Sequence, residues 1–119
     1  MNGFGKLYFR YGTMGSAKTA LLLTTAYNFE ERGMPYMCMK PSIDNREKEN
    51  VIQSRIGIKR ECSWIFPDTD LYEYCVKIFD QKMRGINWIL VDEAQFLSAA
   101  QVDQLARLVD DFGTNIVCY

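Results

Sequence analysis

The sequence contains no histidine. Within these 119 residues, mechanisms that need an imidazole base or a histidine metal ligand are therefore excluded. It also has no apolar run near the roughly 20 residues of a membrane-spanning helix, so no membrane partner is expected. No h-region or cleavage site follows "MNGFGKLYF", so no signal peptide is read there. Charge of one sign is missing too: 14 basic residues face 15 acidic ones, for a formal net charge of −1. No basic patch or run suggests a nucleic-acid partner. Cysteine is sparse. Cys38, Cys62, Cys75 and Cys118 form no C-x-x-C pair, so the residues present do not support a zinc site. Without a secretory signal they read as reduced thiols of a cytoplasmic protein. The remainder is ordinary for a globular domain, at 48% apolar and 24% charged. One domain over residues 1–119 is expected.

Apolar patterning divides the chain into alternating strands and helices. Lys6–Tyr11 ("KLYFRY") reads as a strand, Thr19–Glu31 as a largely buried helix, and Tyr36–Lys40 as a second strand. Pro41–Asn50 is polar and reads as a loop. Val51–Ile58 alternates like one extended piece, and Cys62–Phe66 ("CSWIF") like a third strand. From Asp70 to Met83, Leu71, Tyr74, Cys75, Ile78, Phe79 and Met83 fall on one face of a helix. Asn87–Glu93 is an apolar strand ending in two carboxylates. Ser98 with Gln101 three residues on forms a capping box for a helix that Gly113 ends, and Asn115–Tyr119 is a last strand. Such alternation predicts an α/β fold with a mainly parallel sheet between helical layers. The Lys6–Tyr11 and Asn87–Glu93 strands are expected to be central, side by side or one apart.

Two segments carry chemistry. "YGTMGSAKTA" (Tyr11–Ala20) approaches the phosphate-loop pattern G-x-x-x-x-G-K-[ST]. Gly12, Lys18 and Thr19 fall in place, Ala17 stands at the usual glycine, and Gly15 lies two residues earlier. Backbone N–H groups of such a loop bind anionic oxygens, helped by the positive end of the next helix. Lys18 would reach the β- and γ-phosphates and Thr19 would hold Mg²⁺. Ala17 costs about 1 kcal/mol or somewhat more if that position needs positive φ. With negative φ it only crowds the phosphate. "WILVDEAQF" (Trp88–Phe96) resembles a Walker B strand, with Asp92 supporting Mg²⁺ from the far side. Together these segments predict a P-loop NTPase, RecA-like three-layer fold that binds ATP and Mg²⁺.

The Met-containing loop, "KPSIDNR", "SRIG" and "ILVDEAQFL" together resemble the cytosolic, zinc-bearing type of thymidine kinase. The matching positions are Gly12, Met14, Lys18 and Thr19, then Asp44 and Arg46, then Asp92, Glu93, Gln95 and Phe96. The resemblance implies transfer of the γ-phosphoryl group of ATP to the 5′-hydroxyl of thymidine. It makes Glu93 the general base and Lys18 the stabiliser of developing charge, with Thr19 and Asp92 as Mg²⁺ ligands. It assigns the Gly12, Thr13, Met14, Gly15, Ser16 and Ala17 segment to phosphate and nucleoside contacts. Arg46 would clamp phosphates, while Met14 and Phe96 would wall the nucleoside. It also implies a homotetramer and places the family's substrate-embracing lasso and its zinc ribbon beyond Tyr119. The chain is accordingly expected to be a nucleoside kinase core truncated at its C-terminus. Two other readings stay open: an ATP hydrolase, because "DEAQ" also resembles a helicase segment, and a nucleotide-binding fragment without turnover.

Overall fold

The segment around Asn87–Glu93 is built into the middle of a five-stranded parallel sheet. A computed structural model describes residues 5–10, 15–42, 50–82 and 86–119. In chain order its elements are β1 (Leu7–Phe9), α1 (Gly15–Glu31), β2 (Tyr36–Pro41), β3 (Val51–Gln53), β4 (Lys59–Glu61) and β5 (Ser63–Ile65). Then follow α2 (Leu71–Lys82), β6 (Trp88–Val91), a 3₁₀ turn (Ala94–Phe96), α3 (Ala99–Phe112) and β7 (Asn115–Cys118). The sheet order is β1-β7-β6-β2-β5, with every pairing parallel.

The central strand β6 is apolar throughout because both sheet faces are covered. Ile89 and Val91 of β6 face one layer with α2 and α3, where Leu71, Cys75, Leu105 and Leu108 are fully enclosed. Leu90, between them, faces the other layer with Leu22, Ala26 and Phe29 of α1. Truncating such an enclosed leucine to alanine typically costs about 2–5 kcal/mol. The expected capping box is present: Gln101 N donates to Ser98 Oγ at 3.1 Å, and Ser98 N donates to Gln101 Oε1 at 3.1 Å. Gly113 ends α3 in the left-handed conformation at φ 68°, where a side chain would be strained.

Three expectations change. Residues 51–61 form an antiparallel hairpin, β3 with β4, rather than one extended piece. Its turn has Gly57 at φ 89°, with Gly57 N donating to Ser54 O at 3.1 Å. Ile52 of the hairpin inserts beneath α1. Second, α1 begins at Gly15, four residues before Thr19, so the end of the glycine loop is itself the first helical turn. Third, β1 pairs only with β7 and lies at an edge of the described strands rather than in the centre. It is one strand removed from β6, as expected of the site's spacing.

Candidate functional site

Parallel α/β sheets bind ligands at the carboxyl ends of their strands, and the two chemistry-bearing segments meet there. The amino end of α1 carries Lys18 and Thr19 in its first turns. Opposite, β6 ends at Val91 and delivers Asp92 and Glu93. Thr19 and Asp92 are both buried, 8% and 4% exposed. Their side chains touch, with the Thr19 hydroxyl 3.3 and 3.2 Å from the two Asp92 carboxylate oxygens. Residues 73 positions apart thus place a hydroxyl and a carboxylate on one spot. These are hard oxygen donors of the kind Mg²⁺ takes from a protein when phosphates and water complete its shell.

The backbone around Asp92 is fixed by its neighbours. Asp92 N donates to Met39 O of β2 at 2.9 Å, and Ala94 N donates to Tyr119 O at 3.0 Å. Burial, and then the neighbouring Glu93 charge, hold the Asp92 carboxyl above its ordinary pKa, while the Thr19 hydroxyl works in the opposite direction. A cation beside Asp92 would offset both unfavourable effects.

Glu93 is the one non-glycine among the described residues with positive φ (54°, with ψ 41°). This left-handed conformation is costly for a glutamate. Strain of this kind collects at functional sites. It turns the chain sharply after β6, so Asp92 is buried while Glu93 is only partly covered. Gln95 Nε2 donates to Glu93 Oε2 at 2.9 Å, bracing the carboxylate. Phe96 is 51% exposed and lines a cavity of about 160 Å³ with Pro41, Ser42, Ile65, Phe66 and Pro67.

Of the residues predicted from sequence, Lys18, Thr19, Asp92, Glu93, Gln95 and Phe96 therefore gather at the carboxyl ends of the strands. Gly12, Thr13, Met14, Asp44 and Arg46 lie outside the described residues, and of Gly15 and Ser16 only the helical backbone is described. Ala17 has helical, negative-φ backbone and is exposed, so the positive-φ cost considered for it does not arise. It borders a larger, mainly apolar cavity of about 560 Å³, between Ala20, Thr24 and Tyr27 of α1 and Arg55, Ile56 and Ile58 of the hairpin. The left-handed Glu93, the Gln95 brace and Phe66 opposite Phe96 were not legible in the sequence. The first two depend on backbone geometry and the third on strand order. Among the described residues no group of three or more histidine, cysteine, aspartate or glutamate side chains could hold a metal.

A strand-end Asp-Glu pair facing a phosphate-loop helix is common to many nucleotide enzymes, so comparison with known proteins decides the family. The sequence model of the thymidine kinase family matches residues 5–119. The chain belongs to the thymidine kinase family. It is 41% identical over 113 residues to the thymidine kinase of Enterobacteria phage T4, covering 95% of this chain and 58% of that protein. It is 40% identical over 114 residues to the thymidine kinase of Streptococcus thermophilus (strain CNRZ 1066), covering 96% of this chain and 56% of that protein. The thymidine kinase of Listeria monocytogenes serovar 1/2a is 40% identical over 114 residues, with 96% and 58% covered. The chain thus spans 56–58% of the length of these thymidine kinases. No helix among the described residues is long and apolar enough to cross a membrane.

Proposed function

We propose that this chain is the phosphate-handling core of an ATP:thymidine 5′-phosphotransferase. The observation that carries the reading is the Thr19–Asp92 contact, with Glu93 next in sequence and held apart from it by the left-handed turn. One carboxylate is buried against a hydroxyl, and the adjacent one is only partly covered, as a base that must meet an acceptor requires. Phosphoryl transfer depends mostly on positioning and charge stabilisation, and this division of labour suits it.

In this mechanism Thr19 and Asp92 would hold Mg²⁺, which when bound would supply positive charge against the phosphates. Lys18, at the amino end of α1, lies against the β- and γ-phosphates and stabilises charge on the group in transit. The first-turn N–H groups of α1 add the helix dipole. Glu93 accepts the 5′-hydroxyl proton as the bond to phosphorus forms, and Gln95 keeps its carboxylate aimed. Phe96 supplies an apolar wall for the nucleoside. Gly12, Thr13, Met14, Asp44 and Arg46 are assigned to the same site by their motif positions. We assign the chain to a homo-oligomer, with the exposed Leu21 of α1 (47%) as a candidate contact between copies. The four cysteines form no disulfide, which supports a reducing, cytoplasmic setting.

The test is the acceptor. Full-length protein should release ADP from MgATP in proportion to added thymidine. Phosphate release stimulated by nucleic acid, without thymidine dependence, would favour an ATP hydrolase instead.

A further inference from the structure

Cys38 and Cys62 occupy neighbouring positions on adjacent stretches of chain. β2 and β5 pair in parallel from Met39 opposite Ser63 onward. One step earlier on each side stand Cys38 and Cys62. Both belong to the α1-side core cluster, so their thiols leave the same face. Both line one cavity of about 580 Å³, together with Glu30, Tyr36, Arg60 and Glu61. The cavity forms where β5 begins: Tyr36 to Cys38 pair with β6 on one side, while β5 pairing starts only at Met39.

We propose that Cys38 and Cys62 form a two-sulfur site for a soft, thiophilic ion of the monovalent-copper class. Soft thiolate ligands select such ions. The two residues stand on the same face, one step before the first paired residues of adjacent parallel strands, so both thiols open onto one cavity. On binding, two S–H bonds break, two sulfur–metal bonds form and two protons leave to water, with no change in oxidation state. Burial, then the charge of Cys62, pushes the Cys38 thiol up to about 12, so the ion must displace a proton that bulk base removes poorly. Arg60 at the cavity rim offsets the negative charge of a dithiolate complex, with Glu30 opposing it.

The other two cysteines are internal controls. Cys75 and Cys118 lie in the opposite core layer, and Cys75 Sγ packs 4.0 Å from Met39 Sδ.

The experiment titrates the chain with Cu(I) held by a chromophoric chelator, without oxygen, and weighs the product by native mass spectrometry. One copper per chain is expected. Cys38→Ser and Cys62→Ser should each weaken uptake by roughly tenfold or more, whereas Cys75→Ser and Cys118→Ser should not. Because core serines can disturb folding, wild-type chain is also treated with a trivalent arsenical that bridges two thiols. Peptide mapping should recover Cys38 and Cys62 joined by one arsenic. Absence of copper uptake by the folded wild-type chain, or an arsenic bridge that excludes either cysteine, would overturn the assignment.

Discussion

Replacing Glu93 by glycine and by alanine isolates the strain at the turn after β6. Both variants lose the carboxylate and the Gln95 hydrogen bond, so those losses cancel between them. Alanine keeps the left-handed cost of about 1–2 kcal/mol. Glycine escapes it but loses about 0.4–1 kcal/mol more unfolded-chain entropy. The difference leaves about 0.5–1 kcal/mol in favour of glycine. For a domain of this size that is roughly 2–5 °C in Tm. Thermal and urea unfolding of the chain would read it directly. In full-length protein both variants should lose thymidine phosphorylation, so the glycine form would be more stable than the alanine form with no gain in activity. An alanine variant more stable than the glycine variant by about 0.4–1 kcal/mol, the entropy difference alone, would refute the strain argument, because φ 54° at Glu93 would then carry no cost.

Ala17→Gly should lower stability by up to about 1 kcal/mol, since residue 17 is helical. Calorimetric titration should show no gain in ATP affinity. Thr19→Val removes the hydroxyl that partners Asp92, which should cost about 1–3 kcal/mol in urea unfolding and weaken MgATP more than metal-free ATP. Asp92 has a folded pKa above the ordinary carboxylate value of 3.8, so it favours the fold when protonated and costs stability as pH rises through that raised value. Asp92→Asn should therefore be more stable than wild type at pH 7 without Mg²⁺, and the gap should close as pH falls toward 3.8. A gap that widened on acidification would show that the sign is wrong.

Local chemistry made some elements legible in the sequence. α2 followed the spacing of Leu71, Cys75, Ile78 and Phe79, and α3 followed Ser98, Gln101 and Gly113, because capping and one-sided burial act within a few residues. The hairpin was missed because Ile52, Ile56 and Ile58 keep the even spacing that one extended strand would have. Only Gly57 hinted at the turn. The edge position of β1 is a matter of strand order, which apolar content does not encode. At the site, Thr19 and Asp92 were legible as a pair because phosphate-loop and Walker B patterns imply their meeting. The left-handed Glu93 was not, because no residue-type preference marks a strained glutamate. Ala17 looked like a defect only under the assumption of positive φ, and a helix starting at Gly15 removes that assumption.

In the proposed mechanism Glu93 takes the acceptor proton while Thr19, Asp92 and Lys18 handle phosphate. The most direct measurement compares full-length wild type with Glu93→Gln in two quantities, thymidine-dependent ADP formation and the Kd for MgATP. Turnover should be lower by about 10²- to 10⁴-fold, with MgATP affinity nearly unchanged. Undiminished turnover in the Glu93→Gln enzyme would contradict the mechanism.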